Sequence, residues 1–384
     1  MIIRRAANLN RYIQMTSKER VYAALRREPA DRVPVFMWFH PSTTKHLARL
    51  LGIPHPYVSR AMGNDIAQAW VNNNFAMEGI VHENEGEGHV DFWGIEWVKR
   101  GPFNQIARYP LEKATKEQVL GYCFPWNHID ELLKPMEALA NGPRDLFLGC
   151  DISPCEFEMY WRLRGMERAM TDMVMEPDLA FEMLGRCAEF AAALGEAACS
   201  RFALDWLWTG DDVAGQRAML MSPELWRDQI KPHLKRVVNV GKSRGLCVAF
   251  HSCGAVRPII GDLVEIGVDV LDPIQCTCPG MAPLELKREF GKALSFMGGV
   301  DTQGVLLHGS VEDVRRATAQ LIEGMTTDGG GYILAASHTV PPETPDKNIF
   351  AMYSEAGIRK EEVLDRAADI REQLRGKERE KGAT

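Results

Sequence analysis

No uninterrupted apolar run in this 384-residue chain approaches the roughly 18 residues that a membrane-spanning helix needs, so no membrane function is expected. An excess of positive charge is also missing. Lys plus Arg is 45 against 52 for Asp plus Glu, a net charge of −7, whereas a broad nucleic-acid surface needs a basic patch. Arg4 and Arg5 are followed by a polar stretch (AANLNRYIQMTSKER) and not by the apolar core of a secretory leader, so the expected location is cytoplasmic. The phosphate-cradling patterns G-x-G-x-x-G and G-x-x-x-x-G-K-[ST] are absent. Gly298-Gly299 and Gly329-Gly330-Gly331 fit neither, which argues against a doubly wound nucleotide-binding sheet. No Pro-, Gly- or Ser-rich linker and no internal repeat divides the chain. Cysteine is plentiful, but its count is odd, at nine. With no leader, that favours reduced thiols or metal ligands over a disulfide framework.

The remaining composition, 46% hydrophobic and 25% charged, is that of a folded globular chain and excludes disorder. Residues 1–30 read as an N-terminal helical extension, with Thr16 or Ser17 as N-cap. Residues 33–39 (VPVFMWF) are the first expected strand, and 64–71 is a weaker candidate. Residues 86–100 alternate about Gly94 as a β-hairpin insertion, a plausible lid or rim. From residue 146 a regular rhythm sets in. Short apolar runs at 146–150, 205–209, 246–251, 268–272, 294–298 and 331–335 end in polar or Gly residues and are followed by helical stretches. Ser222-Pro223-Glu224 is one such helix start. This alternation predicts an α/β protein of a single (β/α)8 TIM barrel over 31–370, with a charged tail over 371–384.

In such a barrel the site lies at the C-terminal ends of the strands. The residues there are His40, Cys150 with Asp151, Asp211 with Asp212, His251 with Cys253, Asp272 with Gln275, Asp301 with Gln303, and Ser337 with His338. His251-Ser252-Cys253-Gly254 is the sharpest local signal. In extended backbone, residues i and i+2 face one side, so an imidazole and a thiol address one point. Zinc takes that pair of ligand types. A third ligand must come from another strand end: His338 first, then Cys276 or Cys278, then Asp211 or Asp212. The plainer reading is a core histidine and a buried thiol. Asp211 or Asp212 would serve as general base or hold a ligand imidazole, unless one simply caps a helix. Gln275, Asp301 and Gln303 are expected to contact substrate, and His40 either to contact substrate or to lie in a helix N-cap region. Cys276-Thr277-Cys278 reads as packing thiols, as a redox pair or as a contribution to a zinc site.

Taken together, the segments 16–25, 32–35, 210–216, 222–232, 250–254, 298–303 (GGVDTQ) and 330–345 (GGYILAASHTVPPETP) resemble the uroporphyrinogen decarboxylase superfamily in content and in order. That resemblance implies a (β/α)8 barrel and one of two chemistries. One branch is the cofactor-free decarboxylase. The other comprises corrinoid-linked methyltransferases that use zinc to activate a thiol. The arginine-rich R-Q-A-G-R-Y segment of the decarboxylase is replaced here by Met37-Trp38-Phe39-His40-Pro41-Ser42, which removes the clamp a polycarboxylate needs. His251 and Cys253 match the H-x-C of the methyltransferases. Where their last ligand is a Cys, this chain has Ser337-His338, and a His can replace a Cys on zinc. The resemblance therefore implies a zinc-dependent methyltransferase, with His251, Cys253 and His338 as ligands. It would move a methyl group between a corrinoid, on a partner protein or free, and a small-molecule donor or acceptor. A homodimer is compatible with this reading. Two rivals are a metal-free decarboxylase of a small acid, with Asp211 or Asp212 and His338 as its acid–base groups, and a corrinoid-binding scaffold without turnover.

Overall fold

The computed structural model describes residues 14–73, 82 and 84–382; the expected extension over 1–30 therefore lies partly outside the described residues. Seven parallel strands form one curled sheet: β1 (Ile66–Trp70), then β5 (Phe147–Asp151), β6 (Trp206–Gly210), β7 (Cys247–His251), β8 (Val270–Ile274), β9 (Ser295–Val300) and β10 (Tyr332–Ala336). Between β1 and β5 lies a separate antiparallel sheet of β2 (Gly88–Val90), β3 (Glu96–Arg100) and β4 (Phe103–Arg108). The parallel strands read as unbroken apolar runs because both of their faces are covered. Every residue of β6, β8 and β10 is buried.

The weaker strand candidate at 64–71 contains β1, whereas the first expected strand, 33–39, is not a regular ladder. Its backbone makes single parallel bridges, Val35 to Leu334 and Phe39 to Val340. On the other side Asp65 N–H donates to the Val35 carbonyl at 2.8 Å. Pro34 has no N–H to give, so an uninterrupted ladder cannot form there.

Inside the curl, Phe36, Ile66, Phe147, Trp206, Trp208, Met297 and Ile333 pack as one cluster. The Trp206 indole donates to Gln68 Oε1 at 2.8 Å. It fits only because position 149 is glycine, where a Cβ would stand 2.1 Å from Trp206 Nε1. The N-terminal helix Ser17–Arg26 opens on a capping box between Thr16 and Glu19. It closes the floor of the curl, with Val21 in the interior cluster and the Tyr22 ring edge-on to Phe147 at 5.1 Å.

The hairpin expected around Gly94 is present as β2 and β3, and β4 extends it beyond the expected boundary. Asp91 shapes its turn by accepting from Trp93 N–H at 2.9 Å, Ile95 N–H at 3.0 Å and the Trp97 indole at 2.7 Å. The charged tail is helical through the last described turns, as the end of Lys360–Gly382. The helix is tied back by Arg366, which donates to the Ala61 carbonyl at 2.9 Å, and at the start of the tail by Arg371, which donates to that of Leu51. Among the described residues no helix is long and apolar enough to cross a membrane, and the nine cysteines are free thiols.

Candidate metal centre and its pocket

Because the seven strands run parallel, their C-terminal ends share one mouth. His251 is the last residue of β7. The three amides that follow are each held by a different neighbour. Ser252 N–H donates to the Asp272 carbonyl at 2.9 Å, Cys253 N–H to Asp212 Oδ1 at 2.8 Å, and Gly254 N–H to Gln275 Oε1 at 2.9 Å. Gly254 adopts φ +87°, and a Cβ there would stand 2.5 Å from the Gly215 carbonyl oxygen, so only glycine makes this turn. The exit loop is thus built to hold Cys253 beside His251.

The parallel register pairs His251 with Asp272 on β8, and His251 Nδ1 lies 2.6 Å from Asp272 Oδ2. That contact leaves Nε2 facing Cys253 Sγ at 3.7 Å. His338, just past β10, brings its ring to 6.3 Å from that of His251, edge to face. Its neighbour Ser337 fixes this exit: Ser337 N–H donates to the Val300 carbonyl at 2.7 Å and Thr302 N–H donates to Ser337 Oγ at 3.1 Å. One ligand atom from each of His251, Cys253 and His338 lies within 4.8 Å of the other two, the one such group among the described residues. Two nitrogens and a sulfur suit zinc, and three protein ligands leave a coordination position open.

The electrostatics of the three groups differ: without a cation, His338 is held neutral, whereas His251 and the Cys253 thiol hold their protons. Burial, with the charge of His251 adding to it, pushes the His338 pKa down to about 4, so its lone pair is free at neutral pH. Burial works against a charged His251, but the Asp272 carboxylate and the Cys253 sulfur outweigh it and raise its pKa well above the usual imidazole value. Burial, aided by Asp212 and opposed by His251, pushes the Cys253 thiol up to about 11. A divalent cation would reverse that last effect, since a coordinating thiol is deprotonated outright.

The remaining expected residues fall in different places. Asp212 lies at the centre, with Oδ1 3.9 Å from His251 Nε2. Asp211 does not: its carboxylate accepts from the N–H groups of Phe157 at 2.8 Å and Glu158 at 2.6 Å, which caps the helix Phe157–Arg164. The carboxylate that holds the histidine ring is Asp272, and neither Asp211 nor Asp212 does so. Gln275, Asp301 and Gln303 line a pocket of about 530 Å³ that also touches Cys253 and His338. Gln275 Oε1 additionally accepts from Gln216 Nε2 at 2.9 Å.

His40 is set apart from that lining. Its Nδ1 accepts from Ser42 N–H at 3.1 Å and caps the helix Pro41–Leu51. Its Nε2 faces the Pro102 carbonyl at 3.3 Å. Cys276 and Cys278 stay outside the convergent group, and Cys278 Sγ points at Gln216 Oε1 at 3.4 Å. Sequence reasoning missed Phe103, from β4, and Glu343, both of which line the pocket. Their only sequence signals are the insertion and the VPPETP run.

Comparison with known proteins places the chain in a family. The uroporphyrinogen decarboxylase (URO-D) family model matches residues 147–357, more than half of the chain, and the chain belongs to that family. It is 21% identical over 348 residues to the methylcobamide:CoM methyltransferase MtbA of Methanosarcina mazei, covering 88% of this chain and 97% of that one. To the MtbA of Methanosarcina acetivorans it is 20% identical over 330 residues, covering 83% and 94%. The solved structure of a methyltransferase from Methanosarcina mazei superposes with a TM-score of 0.67 at 20% identity, over 90% of this chain and 99% of that one, and shares its fold. With relatives of this kind matched along nearly their whole lengths, the chain is an enzyme, a methyltransferase.

Proposed function

We propose that this family member is a zinc-dependent enzyme that moves a methyl group between a corrinoid carried by a partner protein and a small-molecule donor or acceptor. The observation that carries the reading is the convergence of His251, Cys253 and His338 within 4.8 Å beside an open pocket. Each of them alone has a packing explanation; three borderline ligands at one mouth do not. Zinc held by these side chains supplies a Lewis acid that keeps a bound thiol as thiolate, or polarises the oxygen of a methyl ether, at neutral pH.

The protein's own groups do the positioning. Asp272 fixes the His251 ring and leaves Nε2 free for the centre. Asp212 anchors the Cys253 amide. Gln275 and Gln216 form a neutral hydrogen-bonding wall for the reacting molecule. Trp38 and Trp208, whose ring centroids stand 6.0 and 6.2 Å from that of His251, exclude water from beneath it. We take residues 33–39 as the eighth stave of a closed (β/α)8 barrel spanning 31–370, in a cytoplasmic protein. The relatives act on methylcobamide by name, which supports a corrinoid as the methyl carrier.

The test is elemental analysis of purified protein together with methylcobalamin demethylation in the presence of a thiol. We expect about one zinc per chain, and a Cys253→Ser variant that is folded but has lost most of its zinc and its methyl transfer. A Cys253→Ser protein that keeps its full zinc overturns the site.

A further inference from the structure

The centre accounts for the reacting atom, and the pocket wall speaks to the other end of the molecule. Apart from Cys253 and His338 of the centre itself, the charged side chains lining the pocket among the described residues are Asp301 and Glu343, and no lysine or arginine lines it. Among the described residues neither carboxylate is ion-paired with a cationic side chain, and the Asp301 carboxylate accepts from the Gln303 amide at 2.9 Å. The rest of the polar wall is neutral amide and hydroxyl. Phe103, which reaches the same pocket from β4, is 45% exposed and is the large aromatic at its rim.

Charge accounting sharpens the point. A divalent ion bound by one thiolate and two imidazoles carries a single net positive charge. A substrate thiolate cancels it. Among the described lining residues no lysine or arginine is then left for a second anionic group, and two carboxylates remain to repel one. A cleft lined by a single sign of charge concentrates ligands of the opposite sign, and an exposed aromatic face adds cation–π attraction for an alkylammonium group.

We propose that the non-reacting end of the small-molecule substrate is cationic, of the alkylammonium class, and that the pocket discriminates against an anionic end such as a sulfonate. This rests on the metal-centred reading above. It predicts that the thiol preferred by this chain differs from coenzyme M, a sulfonate.

The test uses the full chain loaded with Co²⁺ in place of zinc and three thiols that share the HS–CH₂–CH₂– unit: thiocholine (trimethylammonium), 2-mercaptoethanol (hydroxyl) and 2-mercaptoethanesulfonate. Each binds with loss of its S–H proton to buffer. Each is followed by growth of the thiolate-to-cobalt absorption band, which needs no turnover. Thiocholine is expected to bind tightest and the sulfonate weakest, with about tenfold or more between them at low salt, as two nearby charges at intermediate dielectric require. In Asp301→Asn/Glu343→Gln the order should collapse to within a factor of about two, and Phe103→Ala should weaken thiocholine alone by about two- to fivefold. The asparagine keeps an oxygen for the Gln303 amide, so the wall is preserved.

If cobalt binds and the sulfonate binds as well as thiocholine does, the substrate class is wrong and the metal-centred reading stands. If cobalt fails to bind, or no thiol changes its spectrum, that reading falls and the substrate class falls with it.

Discussion

Asp272→Asn isolates the step by which the fold turns a histidine into a ligand. In the native chain Asp272 Oδ2 sits 2.6 Å from His251 Nδ1, and the Asp272 backbone carbonyl separately holds the Ser252 amide. The substitution removes the charge and keeps the backbone contact and the shape. An asparagine oxygen can still accept from Nδ1–H, so the ring stays oriented, but Nε2 becomes a weaker base. Loss of such a partner typically costs about 10–100-fold in metal affinity, or roughly 1.4–2.7 kcal/mol. The fold should hardly notice. Breaking a buried ion pair is destabilising when it strands a charge, but His251 can release its proton, so the metal-free protein should stay within about 1 kcal/mol of native stability. The assay is competition for zinc against a chromophoric chelator, with a thermal melt of the metal-free protein alongside. Asp211→Asn is the control, because Asp211 lies at a helix start and not at the ring. Unchanged zinc affinity in Asp272→Asn, or an equal loss in Asp211→Asn, would refute the assignment.

Further outcomes follow from the same contacts. Asp211→Ala strips the cap from Phe157–Arg164 and leaves two amides unsatisfied, so urea denaturation should show a loss of about 1–3 kcal/mol with zinc content unaltered. Gly149→Ala forces a Cβ to 2.1 Å from Trp206 Nε1 and 2.6 Å from Gln68 Oε1; overpacking of this kind costs about 1–3 kcal/mol or more and should appear as a lowered melting temperature. His338 has a folded pKa of about 4 against an ordinary 6.5, so between those values the unfolded chain binds a proton that the folded chain does not. Stability of the metal-free protein should therefore fall as pH drops from 6.5 towards 4, by at most about 3 kcal/mol. His338→Gln should flatten that slope in urea titrations across the same window.

What the chain discloses by itself and what it withholds divide along the distance over which information must travel. The strands of the parallel sheet are legible because burial on both faces leaves an apolar run that no solvent-facing residue interrupts. His251 and Cys253 are legible as a pair because two residues of extended chain suffice to aim them together. The weakest local expectation is the first stave, where the apolar run of residues 33–39 is right for a strand but Pro34 denies the ladder a donor.

The parts of the site that escape sequence reasoning depend on register, on an insertion or on a loop that folds back over the mouth. Asp272 was visible as a strand-exit carboxylate, but that it holds His251, and that Asp212 holds the Cys253 amide instead, follows from which residues of β7 and β8 stand side by side. Asp211 and Asp212 are adjacent in sequence and face different tasks, since extended neighbours point to opposite sides. One of them caps a helix that begins 54 residues earlier in the chain. Phe103 and Glu343 share no motif with the ligands and meet them only because the inserted sheet and the loop after β10 close on one mouth. Local spacing sets two of the three proposed ligands, His251 and Cys253, while His338 joins them through tertiary placement. On the substrate class proposed above, Phe103 and Glu343, also brought in by tertiary placement, decide which molecule approaches the metal, so two chains can share the H-x-C exit and the fold and still select substrates of opposite charge.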